Sequence, residues 1–190
     1  GVSNTVVNEN VIGNINDATK AAIYIDGVAA ISTLYGNFIG LNRTDIAINN
    51  AGHGIIVLNS SQTVSVGTLG EDPNIISNNA LNGIEIVNST NTSVFNNYIG
   101  TDVAGTANVG NTLNGVHIGG GNTGVTIDGN IIKGNTIDGI LIDENVAGTT
   151  VIGDNGTSGN GSRILSNGRH GVNVTTGTTT NLTITSNGIG

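Results

Sequence analysis

Three short β-like segments, separated by Gly and Asn, stand together between residues 112 and 135. They are Val116–Ile118, Val125–Ile127 and Asn130–Ile132. Segments this short, with a break every few residues, are too cramped for antiparallel hairpins of ordinary length. They suit one coil of a solenoid, in which three strands bend around a triangular cross-section. The rest of the chain repeats this stretch.

One segment type, apolar-x-apolar with a Gly before every copy except the first, recurs along the chain at Ile23–Ile25, Ile55–Val57, Ile84–Ile86, Val116–Ile118, Ile140–Ile142 and Val172–Val174. Alternate residues of a strand face opposite sides. The outer residues of each triplet therefore face a core, and the middle residues form an outward column. That column is Tyr24, Ile56, Glu85, His117, Leu141 and Asn173.

The other two segment types recur with the same spacing. The first places pairs inward at Thr5/Val7, Ser32/Leu34, Val64/Val66, Thr92/Val94, Val125/Ile127, Thr150/Ile152 and Leu182/Ile184. The second reads Asn-apolar-Ile and degenerates at Arg163–Leu165 and Asn187–Ile189. Its Asn side chains are expected to form a ladder, each amide donating to the next coil, and to tolerate a left-handed backbone at the corner. The ladder residues are Asn10, Asn37, Asn74, Asn97, Asn130 and Asn187.

The spacing of the repeats predicts the fold. Marker glycines at 54, 83, 115, 139 and 171 step by roughly 24–32 residues, within the range of solenoid repeats. Each strand meets its own copy one coil later and runs the same way, and such crossovers are right-handed. We therefore expect an all-β chain: a right-handed parallel β-helix (β-solenoid) of about seven coils with three short parallel sheets. We expect residues 1–190 to form a single domain without capping elements.

Composition restricts the partners. The formal net charge is −8 and only five residues are Lys or Arg, so nucleic acid is not an expected partner. No apolar run is long enough to span a bilayer, so no membrane span is expected. The chain has no Cys and few Lys but is rich in Asn and Thr, which favours an extracellular or cell-surface location.

Two stretches carry a resemblance to a known family, YIGTDVAGTANVGNTLNGVHIGGG and NIISNNALNGIEI. They resemble the right-handed parallel β-helix repeats of bacterial and archaeal surface proteins, which share their fold with pectate lyases. The resemblance covers essentially the whole chain and implies adhesin-like, structural and carbohydrate-active functions alike. We expect an extracellular structural or adhesive module. The alternative is a carbohydrate-active enzyme or carbohydrate-binding module, with extracellular glycans as partners.

The catalytic candidates are Glu85 and His117, which the repeat places on consecutive coils of the outward column. The resemblance implies that an enzyme of this fold would gather carboxylates on one sheet, with a basic residue nearby. Here the apolar residues Ile56 and Leu141 flank the pair in the column. An ordinary cross-strand polar pair without catalytic function accounts equally well for Glu85 and His117. The chain is therefore expected not to be an enzyme. It is also expected to need no cofactor, and calcium is the only ion considered as a candidate.

Calcium is considered because loop carboxylates could converge from neighbouring coils. The candidates are Glu71, Asp72 and Asp102, although calcium requires six or more oxygens. The histidines His53 and His170 each precede a marker Gly and are interpreted as corner residues.

An apolar stripe is predicted on the outer side of the second segment type. Phe38 and Tyr98 face outward there, together with Val11, Ile75, Ile131 and Ile164. An exposed stripe of this kind is either covered or marks an interface. The long loops 41–53 and 101–114 are expected to cover Phe38 and Tyr98, and a lateral contact is expected for Ile131.

A self-contact is predicted at the ends. The sequence starts within a first-type segment and stops within a second-type one, so end-to-end stacking is expected. In it, the coil ending at Ile189 would continue into Val2–Val7 of a second copy. Such a heterologous contact propagates into a filament.

Overall fold

A computed structural model describes residues 4–27, 31–143, 148–154, 161–175 and 181–190. Val2, part of the predicted end contact, lies outside these ranges. The described residues form twenty strands and no helix.

The strands belong to three parallel sheets, and each of the first six coils contributes one strand to each sheet, whereas the last described coil contributes a strand to only two of them. Sheet 1 contains β1 (Thr5–Asn8), β4 (Ser32–Tyr35), β7 (Val64–Val66), β10 (Thr92–Phe95), β13 (Val125–Asp128), β16 (Thr150–Gly153) and β19 (Leu182–Thr185). Sheet 2 contains β2 (Val11–Ile12), β5 (Phe38–Ile39), β8 (Ile75–Ile76), β11 (Tyr98–Ile99), β14 (Ile131–Lys133), β17 (Arg163–Leu165) and β20 (Gly188–Ile189). Sheet 3 contains β3 (Ala21–Asp26), β6 (His53–Leu58), β9 (Ile84–Val87), β12 (Val116–Ile118), β15 (Ile140–Ile142) and β18 (Val172–Val174).

The chain is a right-handed parallel β-helix with seven strands in two of its sheets and six in the third. The predicted fold class is confirmed. Every strand pairs with its counterpart one coil away, as β12 does with β9 and β15. The core is a stack of Ile, Val and Leu side chains from all three sheets, including Ile39, Ile86, Ile118 and Ile127, which are fully buried.

One predicted register is wrong. Arg163 pairs with Ile131, and Ile164 pairs with Ile132, so Ile164 is fully buried in the core and Arg163 faces outward. The prediction had Ile164 on the outer stripe. Ser162 occupies the ladder position of this coil, since its hydroxyl accepts from the backbone nitrogen of Asn130. Because no Asn marks the register here, the sequence pattern places this segment one residue too late, and a one-residue slip exchanges the two faces of a strand.

The predicted Asn ladder is confirmed along sheet 2. Its side-chain amides donate in chain order: Asn10 to Asn37 at 3.0 Å, Asn37 to Asn74 at 2.8 Å, Asn74 to Asn97 at 2.8 Å and Asn97 to Asn130 at 3.0 Å. The left-handed backbone, however, belongs to the residue before the ladder position, as at Glu9, Gly36, Asn96, Gly129 and Ser186. A second ladder, not predicted, joins Asn50, Asn79, Asn111, Asn135 and Asn167 in the same way.

Loops cover the centre of the outer stripe, as predicted for Phe38 and Tyr98. Arg43 lies over the Phe38 ring at 4.7 Å from its centroid, and Ile75 between the two aromatic residues is only 2% exposed. The lateral contact expected for Ile131 stays a prediction, but this residue also has a loop contact that was not expected. A β-carbon on Gly105 would lie 3.0 Å from Ile131 Cδ1 and 3.2 Å from the Tyr98 ring, so the loop beginning at Thr101 covers both residues.

Candidate functional site

The candidate site lies on the outer face of sheet 3, where the repeat predicted Glu85 beside His117. The two residues are direct partners in the pairing of β9 with β12. His117 Nδ1 lies 2.8 Å from Glu85 Oε1 and 2.9 Å from Oε2. The predicted adjacency is confirmed.

The second nitrogen of His117 has its own carboxylate partner. His117 Nε2 lies 2.8 Å from Oδ1 of Asp143, which follows β15 on the next coil. The imidazole therefore bridges carboxylates from the coils before and after its own. The side chains of Glu85 and His117 are 15% and 17% exposed, so this ion pair is mostly shielded from water.

These contacts shift the titration of both groups. Burial by itself lowers the pKa of His117, but the hydrogen bonds and charges of Glu85 and Asp143 raise it to about 9. Burial also acts to raise the pKa of Glu85, yet His117 and an amide hydrogen bond from Asn82 at 2.6 Å hold that pKa below its usual range. At neutral pH the pair is an imidazolium and a carboxylate.

His53 belongs to this cluster, although the sequence suggested only a corner residue. It is the first residue of β6, and its Nδ1 lies 3.7 Å from Glu85 Oε2. That nitrogen is buried and has no hydrogen-bond partner. Burial lowers the pKa of His53 despite the nearby charge of Glu85, so this imidazole is neutral at neutral pH.

A second ionic cluster surrounds Asp138, whose side chain is fully buried. Its carboxylate accepts hydrogen bonds from Arg169 Nε at 3.0 Å and Nη2 at 2.6 Å, from His170 Nδ1 at 3.0 Å and from Asn173 Nδ2 at 2.9 Å. Burial acts to raise the pKa of Asp138, but the hydrogen bonds from Arg169, Asn173 and His170 lower it to about 2. The carboxylate is therefore ionised throughout the ordinary pH range.

Two asparagines connect the clusters. Asn82 donates to Glu85 and accepts from the Asn114 side chain at 3.0 Å, and Asn114 Oδ1 accepts from the Asp138 backbone nitrogen at 3.1 Å. The residues immediately before the marker glycines stack into one column: His53, Asn82, Asn114, Asp138 and His170. This column is the signal that could have revealed Asp138 and His53, because every member is polar. Asp143 carried no comparable signal.

The calcium candidates lie elsewhere, on the loops beside sheet 2. The carboxylate of Asp102 accepts from the backbone nitrogens of Thr106 at 2.7 Å and Ala107 at 3.1 Å, so it organises its own loop. These bonds outweigh burial and hold the pKa of Asp102 below its usual range. Within the described ranges, no three His, Asp or Glu side chains are grouped to hold a metal ion. Calcium binding by Glu71, Asp72 and Asp102 stays a prediction, which the melting temperature with and without EGTA would test.

The contacts of His117 on sheet 3 link three neighbouring coils. A general base requires a free lone pair near neutral pH, which His117 does not offer because both of its nitrogens face carboxylates. Comparison with protein-family models, curated sequences and solved structures finds no match to this chain. The described part of the chain contains no helix that is long and apolar enough to cross a membrane.

Proposed function

We propose that this chain is an extracellular structural or adhesive β-helix module rather than an enzyme. The observation that carries the proposal is that polar side chains on the outer face of sheet 3 bond to side chains of neighbouring coils. His117 contacts Glu85 and Asp143, and Asp138 contacts Arg169. Side chains committed in this way stiffen a rod.

The interior supports the same role. Two Asn ladders run through consecutive coils, and most of their members are almost completely buried. Buried amides that satisfy one another resist shear between coils, because any slip would leave several of them without partners. A rod of stacked coils also presents long, flat faces on which a partner can lie.

A carbohydrate-binding module is the second candidate. It is favoured by Tyr24, a residue that is 54% exposed and lies in the same outward column as Glu85. An exposed aromatic ring on a flat sheet is a suitable stacking surface for a sugar ring.

An assay on polysaccharides tests the choice between these functions. Pectate, alginate and xylan would be incubated with the wild type, Glu85→Gln and Tyr24→Ala, and both cleavage and co-sedimentation would be measured. We expect no cleavage by any of the three proteins. Cleavage that disappears in Glu85→Gln would overturn the structural proposal, and binding that disappears in Tyr24→Ala would favour the carbohydrate-binding module.

Location and stacking need separate measurements. Protease treatment of intact source cells should release peptides of this chain if it acts at the cell surface. In the described structure, Ile184 and Ile189 are 45% and 51% exposed, whereas their counterparts Ile152 and Ile164 are fully buried. A further coil would bury them. If a second copy supplies that coil, light scattering should show association that grows with concentration, and a monomer at high concentration would exclude it.

A further inference from the structure

A cleft beside sheet 2 contains both charged and apolar groups that the proposed function does not use. Its volume is about 340 Å³, within the range of small-ligand sites. It is lined by Glu9, Gly36, Phe38, Arg43, Asp72, Pro73, Ile75 and Val103. Four consecutive coils therefore contribute to one concave surface.

The walls of this cleft are held in place by specific contacts. Asp45 Oδ1 accepts from the backbone nitrogen of Val103 at 2.8 Å and so ties the two long loops together. Arg43 stacks on Phe38 and donates from Nη2 to the backbone oxygen of Glu9 at 2.8 Å. A cleft shaped by such contacts is largely formed before a ligand arrives.

The carboxylates of Glu9 and Asp72 in the cleft are not paired with other side chains of the described structure. Among the described residues, neither the Glu9 nor the Asp72 carboxylate has a hydrogen-bond or ion-pair partner. Further acidic residues stand next to the cleft, whereas Arg43 is the only basic residue in its lining. These neighbours are Asp45, Glu71 and Asp102. The potential in the cleft is therefore negative, which favours a cation.

Gly36 opens the space between the two carboxylate-bearing residues. A β-carbon on Gly36 would lie 3.4 Å from Glu9 Cγ and 3.8 Å from Asp72 Cβ. Its φ of +64° lies in the left-handed region, where glycine is the least strained residue. The two carboxylates thus flank a position with no side chain, one coil on either side of it.

We propose that this cleft binds an alkylammonium group, such as a lysine side chain of a partner protein. The ammonium lies between the carboxylates of Glu9 and Asp72, and the methylene stem packs on Pro73 and Val103. A lysine side chain has an apolar stem that can be buried and a charged end that pairs with carboxylates. Pro73 and Val103 match the stem, and Glu9 and Asp72 match the ammonium. The inference goes beyond the proposed function, because it holds for a structural module and for an adhesive module alike.

A metal ion fits the cleft less well. Calcium takes six to eight oxygen ligands, and two carboxylates supply at most four. The apolar side chains of Pro73 and Val103 in the lining offer such an ion no ligand.

A neighbouring cleft of the same protein provides a contrast. It has a volume of about 440 Å³ and is lined by Leu69, Asn96, Gly129, Asn130, Ile131, Gly161 and Arg163. No carboxylate is part of that lining, and Arg163 gives it a positive charge. It is expected not to bind an alkylammonium group.

The test is an NMR titration of the ¹⁵N-labelled protein with Nα-acetyl-lysine N-methylamide. We expect backbone amide shifts at Gly36 and Val103 and none at Gly129. The neutral analogue, Nα,Nε-diacetyl-lysine N-methylamide, should cause no shift. Cadaverine separates the sources: binding of both amines assigns lysine side chains, and binding of cadaverine alone assigns free diamines.

Variants test the two carboxylates directly. The double variant Glu9→Gln/Asp72→Asn should weaken binding about tenfold or more, since charge-assisted hydrogen bonds are lost. The control Asp17→Asn/Asp26→Asn changes the net charge equally, at two exposed carboxylates outside the cleft and its named acidic neighbours, and should change the affinity less than twofold. The proposal is overturned if neither amine shifts Gly36, if the neutral analogue binds equally well, if calcium chloride alone produces the shifts, or if both double variants lose binding alike.

Discussion

The two faces of sheet 3 are built from the same strands but follow different rules. On the inner face, Ile86, Ile118 and Ile142 stack on one another and are all fully buried. On the outer face of those strands, Glu85, His117 and Leu141 follow one another with no common chemistry. Any inner position accepts the same kind of residue, whereas the outer contacts require particular partners on particular coils.

This difference shows how a solenoid divides its interactions. The inner face stabilises the central coils through apolar burial, which needs volume but no specific partner. The outer face adds local links: His117 joins three coils, and Asp138 joins the next pair. The loss of an inner residue should therefore leave a cavity, and the loss of an outer residue should leave a charge without its partner.

The largest effect is expected for the core substitution Ile118→Ala. Ile118 is fully buried, so its truncation should lower the free energy of unfolding by roughly 2–5 kcal/mol. The outward substitution Thr126→Ala should cost less than about 1 kcal/mol. Chemical denaturation of both variants measures the difference, and the reverse order would mean that the two faces are assigned wrongly.

A smaller loss is expected for Glu85→Gln, which keeps the shape of the side chain but removes its charge. His117 retains Asp143, so the free energy of unfolding should fall by roughly 1–3 kcal/mol. The matched substitution Glu71→Gln, at an exposed carboxylate, should stay within about 0.5 kcal/mol of the wild type. Equal effects of the two substitutions in urea denaturation would show that the outer cluster does not stabilise the fold.

The pH dependence of stability should report His117 at the alkaline end. Its pKa rises from 6.5 to about 9 on folding, so its contribution is complete below pH 6.5 and is lost as the pH rises through 9. Between roughly pH 7 and pH 10, the free energy of unfolding should fall by up to about 2–3 kcal/mol. His117→Gln should abolish most of this fall, and an unchanged slope in that variant would contradict the assignment.

At acidic pH, the free energy of unfolding should change in the opposite direction and fall as the pH falls. The pKa of Glu85 is lowered on folding from 4.5, so its contribution is present above that value and is lost as the pH falls through the folded pKa. The pKa of His53 is also lowered, from 6.5, so protonation favours the unfolded chain below that pH. The cluster should therefore stabilise the fold most near pH 6.5, and a series of denaturation curves between pH 4 and pH 8 would locate this maximum.

The smallest effect, and the only gain, is expected for Thr92→Val. Thr92 points inward, is fully buried, and its hydroxyl has no hydrogen-bond partner. Its column neighbours Val64 and Val125 are already apolar. Removal of the unsatisfied hydroxyl should raise the free energy of unfolding by about 1 kcal/mol. The outward substitution Thr126→Val is the control, and a lower midpoint for Thr92→Val would reveal a bond to that hydroxyl.

The sequence predicted most of the fold and about half of the outer site. Glu85 and His117 could be paired because both occupy the middle position of a repeated triplet. Asp143 could not be added, since it follows its strand and the repeat does not fix where a loop side chain points. His53 and Asp138 were predictable in principle from the column before the marker glycines, but only once the register of that column was known.

The repeat by itself determined the parallel strands, the inward and outward faces and the Asn ladder, because apolar burial and amide stacking act identically at every coil. The tertiary structure decided what varies between coils. It turned Ile164 inward where Ser162 replaces Asn, placed Gly105 over Ile131, and set Glu9 and Asp72 on either side of Gly36. These contacts depend on loop paths and on coil-to-coil distances, which a one-dimensional pattern does not contain.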